Sequence, residues 1–216
     1  RHTRLQGDWS SDVCSSDLDK KFKKFIHTLI MERYMIHLKN DHFQPLHSRE
    51  VVYKARDLVS DMDASVRVAR IANKFVELDV SVDQNELEQL TEKLSPIGPV
   101  DNIRHVFEEE IDKEQGITDG IFYFNNERFW ESHEAFEGVW KKCFGREKEI
   151  VQGIILMAVA FAHGQKNELS IGIGMLRRVL EKLGTSPSKY NSIDIDNIRN
   201  RAIQMQQDNK LTLFEI

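Results

Sequence analysis

FNNERFWESHEAFEGVW, residues 124–140, decides how the second half of this chain folds. Phe129, His133, Phe136 and Trp140 recur at steps of three and four, with Trp130, Glu134, Glu137 and Lys141 on the stripe beside them, so the segment reads as part of one amphipathic helix. After Gly116 the two-residue period of strands is gone, and the spacing predicts helices over about 118–142, 147–165, 168–183 and 193–207. The second is apolar nearly all round from Gly153 to Ala162, the mark of a helix buried inside a bundle, and its Gly153, Ala158, Ala160 and Ala162 admit close neighbours. The third holds Ile171, Met175, Val179 and Leu183 in register and stops at Gly184. The fourth follows Ser192, with Ile195, Ile198, Ala202 and Met205 on one face. The expectation for residues 113–216 is an all-α helical bundle, ending in a strand-like tail, LTLFEI, whose ordinary fate is a loose end.

Upstream the period changes. RYMIHLKN (33–40) alternates with Tyr34, Ile36 and Leu38 to one side, as a strand does. Residues 48–62 read as a helix capped by Ser48, with Val51, Ala55 and Leu58 inward. SVRVARIA (65–72) and KFVELDVSV (74–82) are two strands meeting at Asn73; 84–98 is a helix stopped by Pro96; IRHVFEEEI (103–111) is a last strand or a further helix. The order βαββαβ over residues 31–112 is that of a ferredoxin-like split βαβ unit, making the fold class α+β.

Residues 1–30 stand apart. DWSSDVCSSDL (8–18) is similar to a translated sequencing-library adapter, so residues 1–18 are read as a non-native, disordered lead and left out of the fold. The basic stretch 19–30 runs into Met31 and Met35, either of which would serve as a start, so residues 1–30 as a whole are read as a non-native or disordered lead. Without residues 1–18, 28 basic and 32 acidic residues remain, a net charge of −4 that gives nucleic acid no electrostatic purchase. Cys143 is then the one cysteine left, too few for a disulfide framework or a cysteine-based zinc site, and a reducing, cytoplasmic setting is the default. The longest apolar run, Gly153 to Ala162, is about half of what a bilayer span needs, so no membrane is expected.

Within the helical half, the His-Glu-rich segment 124–140 is followed by QGIILMAVAFAH, residues 152–163. Together, over about 118–183, these motifs resemble the domain of unknown function 309 family, which couples such a helix to an apolar one of the type QGxxxxAxAxxH. The resemblance brings a fold and no activity.

Chemistry is sought in the same motifs. His133 and Glu137, four apart, can converge, with Glu134 one step round the helix. A facing helix offers Gln152 and His163, about 16 Å apart along their own helix, so one centre can use only one of them. The most compact metal set is His133, Glu137 and His163, suited to zinc, manganese or iron, with Glu134 as a further ligand or the catalytic general base. The ligand-binding candidates are Trp130, Glu137, Trp140 and Gln152. Against catalysis, HExxxE lacks the second His of a zincin, and the paired Glu-x-x-His helices of di-iron bundles are absent. Gly172 and Gly174 lie inside a helix pattern, which excludes a phosphate loop, and Cys143 reads as an inert buried thiol. Two functions remain: a non-catalytic module binding a small ligand, a partner or a second copy of itself, favoured slightly, and a metal-dependent hydrolase.

Overall fold

The computed structural model describes residues 31–107 and 112–216; the lead of residues 1–30 and the end of the 103–111 segment lie outside the described residues. Strands β1 (Met31–Lys39), β2 (Ser65–Ile71), β3 (Phe75–Asp83) and β4 (Val100–His105) form one sheet, and helices α1 (Ser48–Leu58) and α2 (Leu87–Leu94) connect them. The sheet order is β2-β3-β1-β4 with every neighbouring pair antiparallel. This is the split βαβ arrangement anticipated from the period, and the last segment is a strand that begins and ends earlier than 103–111.

Alternation explains one face of the sheet. Tyr34, Ile36 and Leu38 of β1, Val76, Leu78, Val80 and Val82 of β3, and Val66, Ala69 and Ile71 of β2 bury themselves against Val51 and Ala55 of α1 and Leu90 and Leu94 of α2. Ser48 does not cap α1. It is the first residue of the helix, and its hydroxyl donates to the Ala69 carbonyl of β2 at 2.7 Å, tying helix to sheet.

The helical half comprises α3 (Lys113–Asn125), α4 (Phe129–Lys141), α5 (Gly145–Gly164), α6 (Leu169–Leu183) and α7 (Ile195–Asp208). The single helix expected over 118–142 is two. The chain breaks at residues 126–128, where Glu127 takes φ 61°, a left-handed conformation rare outside glycine and asparagine. Its carboxylate accepts from the Asn73 amide N–H at 3.1 Å and from Asn73 Nδ2 at 2.9 Å, and its carbonyl accepts from Gln165 Nε2 at 2.7 Å. Contacts remote in sequence therefore hold a break that helical spacing alone does not reveal.

The apolar α5 sits between α4 and α6 as expected, with Ile154, Met157, Ala158 and Ala160 fully buried. Close approach between α5 and α6 is real at Gly153 and Gly172. A Cβ on Gly153 would stand 2.5 Å from the Leu183 side chain, and one on Gly172 of α6 would stand 2.6 Å from the Ala160 carbonyl oxygen. Gly184 ends α6 with φ 44°. A two-residue ladder, β5 (Lys189–Tyr190) with β6 (Ile193–Asp194), joins α6 to α7 and was not anticipated; it is too short to leave a periodic trace. The tail is neither a strand nor loose. Leu211, Phe214 and Ile216 pack on the bundle, and Ile216 exchanges backbone hydrogen bonds with the Asn125 side chain. Among the described residues no helix is long and apolar enough to cross a membrane.

Candidate functional site

Helix α4 carries three stripes. Phe129, Ser132, Phe136 and Val139 turn into the bundle, where the Ser132 hydroxyl donates to the Gly120 carbonyl at 2.9 Å. His133, Glu134 and Glu137 lie on the part-exposed side, each offering one ligand atom within 4.8 Å of the others. His133 Nδ1 is 3.0 Å from Glu134 Oε1, and its Nε2 is 3.7 Å from Glu137 Oε2. The two carboxylates thus address opposite nitrogens of one ring, so a metal held by all three groups requires one carboxylate to swing round. The His133 hydrogen bond holds the Glu134 carboxyl below the usual carboxylate range, against partial desolvation and with help from the charges of Arg33 and Arg104.

His163 does not join this group. It stands at the end of α5 with Nδ1 2.5 Å from Glu168 Oε2, and Lys166 Nζ reaches the same oxygen at 2.7 Å. The turn after α5 thereby claims the imidazole that a two-histidine centre needed. Trp130 and Glu134 line a cavity of about 280 Å³ between β4 and α4, together with Arg104, His105 and Phe107. Trp140 and Gln152 border a separate depression of about 200 Å³, where Lys148 Nζ lies 3.9 Å from the Trp140 ring centre. The ligand-binding candidates are accordingly divided between two places. Cys143 is buried, and desolvation, then the Glu147 charge, push its thiol up, in keeping with an inert residue.

The third stripe of α4 faces the sheet and was missed in the sequence. Glu131, with no exposed surface, accepts from both Nε and Nη2 of Arg128 and lies 3.3 Å from Arg104 Nη1 and 3.5 Å from His37 Nε2. His37 of β1 is also 3.1 Å from Glu77 of β3, which pairs with Arg70 of β2. Further along, Asp79 takes a two-pronged contact from Arg33 at 3.0 and 2.6 Å and a third from Arg67 at 3.1 Å. Arg67 is the extra residue of a bulge in β2, which aims it at the same face as Arg70. Trp130 covers this assembly, with the guanidinium carbons of Arg33 and Arg70 at 5.0 and 5.5 Å from its ring.

Burial alone would raise the Glu77 carboxyl. The Arg70 charge and the His37 hydrogen bond outweigh it and hold the group below the usual range. His37, Glu77 and Glu131 have the spacing of a metal set, but Arg70, Arg104 and Arg128 already neutralise the carboxylates and would repel a dication. The cluster is an ionic seam between sheet and bundle. The sign missed in the sequence is the polar outward set of the strands, Arg33, His37, Arg70, Glu77 and Asp79, which looks solvent-facing and in fact pairs largely within itself and is covered by Trp130 and Glu131 of α4.

The fold is thus of the α+β class, a split βαβ sheet docked by its polar face on a helical bundle. Residues 117–175 match the family model described as Domain of unknown function (DUF309), in agreement with the two motifs of α4 and α5. No curated protein matches the chain.

Proposed function

We propose that the chain is a non-catalytic binding module built of two units, residues 31–112 and 113–216, and that His133, Glu134 and Glu137 are its recognition point. The observation that carries this reading is the group itself: three polar side chains on one part-exposed stripe of a single helix, with Glu134 lining the cavity walled by Trp130 and Arg104. The simplest ligand for one imidazole and two carboxylates is a divalent metal ion, zinc, manganese or iron. The depressed Glu134 carboxyl speaks for binding over proton transfer, since a general base works best with a pKa near the operating pH.

Titration of the metal-free chain with each ion, followed through the His133 ring resonances, tests this. Saturable shifts that disappear in Glu137→Gln with the fold intact are expected. Undisturbed His133 resonances at millimolar metal would sink the reading.

The 4.8 Å convergence of ligand atoms also favours a second reading, a metal-dependent hydrolase in which the bound ion activates a water. It requires turnover of an ester or phosphoester substrate by the metal-loaded chain, lost in His133→Gln.

A further inference from the structure

A cavity of about 350 Å³ lies elsewhere, where the loop after β1, the end of β2, the α3–α4 break, the end of α5 and the C-terminal tail meet. Its volume is that of a small-ligand site. Its apolar wall is Phe43, Phe129, Phe161, Leu211 and Leu213, with Phe129 and Phe161 stacked at 4.8 Å between ring centres, and Gln44, Asn73, Gln165 and Asn167 add a polar margin. Two charged residues border it, Glu127 and Lys210.

The backbone here is set unusually. Glu127 and Asn167, both lining the cavity, take φ of 61° and 62°, and Asn209, which ends α7 immediately before Lys210, takes φ 48°. Asparagine tolerates this region; for Glu127 the conformation is unfavourable and persists because neighbours hold it. Asn73 occupies one lone pair on each Glu127 oxygen, and buried Gln165 grips the Glu127 carbonyl while its own carbonyl accepts from Ile71 N at 3.0 Å. Each carboxylate oxygen can accept a second hydrogen bond. The Lys210 ammonium forms no ion pair among the described residues.

We propose that this cavity binds a free amino acid with an apolar side chain, the side chain among Phe43, Phe129, Phe161 and the tail leucines, the carboxylate toward Lys210 and the ammonium toward Glu127. One cation and one anion beside an apolar chamber match a zwitterion. A simple carboxylate would leave Glu127 facing it uncompensated, and a simple amine would do the same at Lys210. This site shares no residue with the His133 group.

Calorimetric titration of the full chain with phenylalanine, phenylacetate and phenethylamine, in a chelator that keeps divalent metal away, separates the contributions. Phenylalanine is expected to bind at least tenfold more tightly than either analogue. Lys210→Met should weaken phenylalanine by about tenfold or more while sparing phenethylamine, and Glu127→Gln should weaken phenylalanine while sparing phenylacetate, the scale of one lost charge-assisted contact. Glu127→Gln keeps an oxygen for Asn73, and circular dichroism of both variants checks the fold. Equal affinity for all three probes, an affinity for phenylalanine that neither variant changes, or no saturable binding would each overturn the assignment.

Discussion

Glu131 shows what a single buried charge commits this molecule to. Its carboxylate is closed off from solvent and answers Arg128, Arg104 and His37 together, so removing it leaves two part-buried guanidinium groups without their counter-charge. Glu131→Ala should destabilise the chain by about 3–5 kcal/mol, the cost of breaking one side of a buried ionic pair, measured by urea denaturation. A loss below about 1 kcal/mol would mean that solvent reaches the seam. Glu77 adds a pH dependence whose sign is fixed. Its folded-state carboxyl holds the proton less tightly than the unfolded one, so its contribution is complete above the unfolded value, about 4.3, and is lost as pH falls through the lower folded value. Glu77→Gln should flatten the acid limb of the stability curve below about pH 4; an unchanged limb would assign acid lability to other carboxylates. Helical spacing marks His133, Glu134 and Glu137 as neighbours and leaves Glu131 unmarked, because a Glu beside a Trp on a helix gives no sign of which side another unit will cover.

Helix α6 contains its own control for packing at the level of elements. A Cβ at Gly172 meets the Ala160 carbonyl of α5, which is backbone and cannot step aside, whereas a Cβ at Gly174 meets nothing within 4 Å. Gly174→Ala should therefore raise stability by about 0.5–1 kcal/mol through helix propensity, and Gly172→Ala should lower it by about 1–3 kcal/mol through overpacking. Opposite shifts in melting temperature check the pair; shifts of the same sign would refute the close α5–α6 crossing. Ala158→Leu, at a fully buried position of α5, should likewise cost about 1–3 kcal/mol. Most elements were legible because apolar spacing marks a face that must be buried somewhere: Ile195, Ile198, Ala202 and Met205 are all buried in α7 as their spacing requires. The break at Glu127 was not legible, since Phe124 and Phe129 both remain buried across it and its causes, Asn73 and Gln165, lie far away in sequence.

Across the whole molecule, the hidden part of the fold was the docking of sheet on bundle. Period-two alternation places Arg33, His37, Arg70, Glu77 and Asp79 opposite the apolar core, where a one-sided sheet meets water, and nothing in the strands says that they pair with one another beneath Trp130 and Glu131 of α4. The seam should make the chain melt as one unit: amide NMR signals of the sheet and of the bundle are expected to be lost in coincident transitions, and two separated midpoints would show sheet and bundle to be independent. An oily seam would let α4 slide or turn against the strands at little cost, because one apolar contact substitutes for another. A seam of matched charges works as a lock with a toothed key. Rotating α4 by a single residue would carry Glu131 away from Arg104 and His37 and Trp130 off Arg33 and Arg70, so only one alignment closes, and the cavity beneath Trp130 inherits its shape from that alignment.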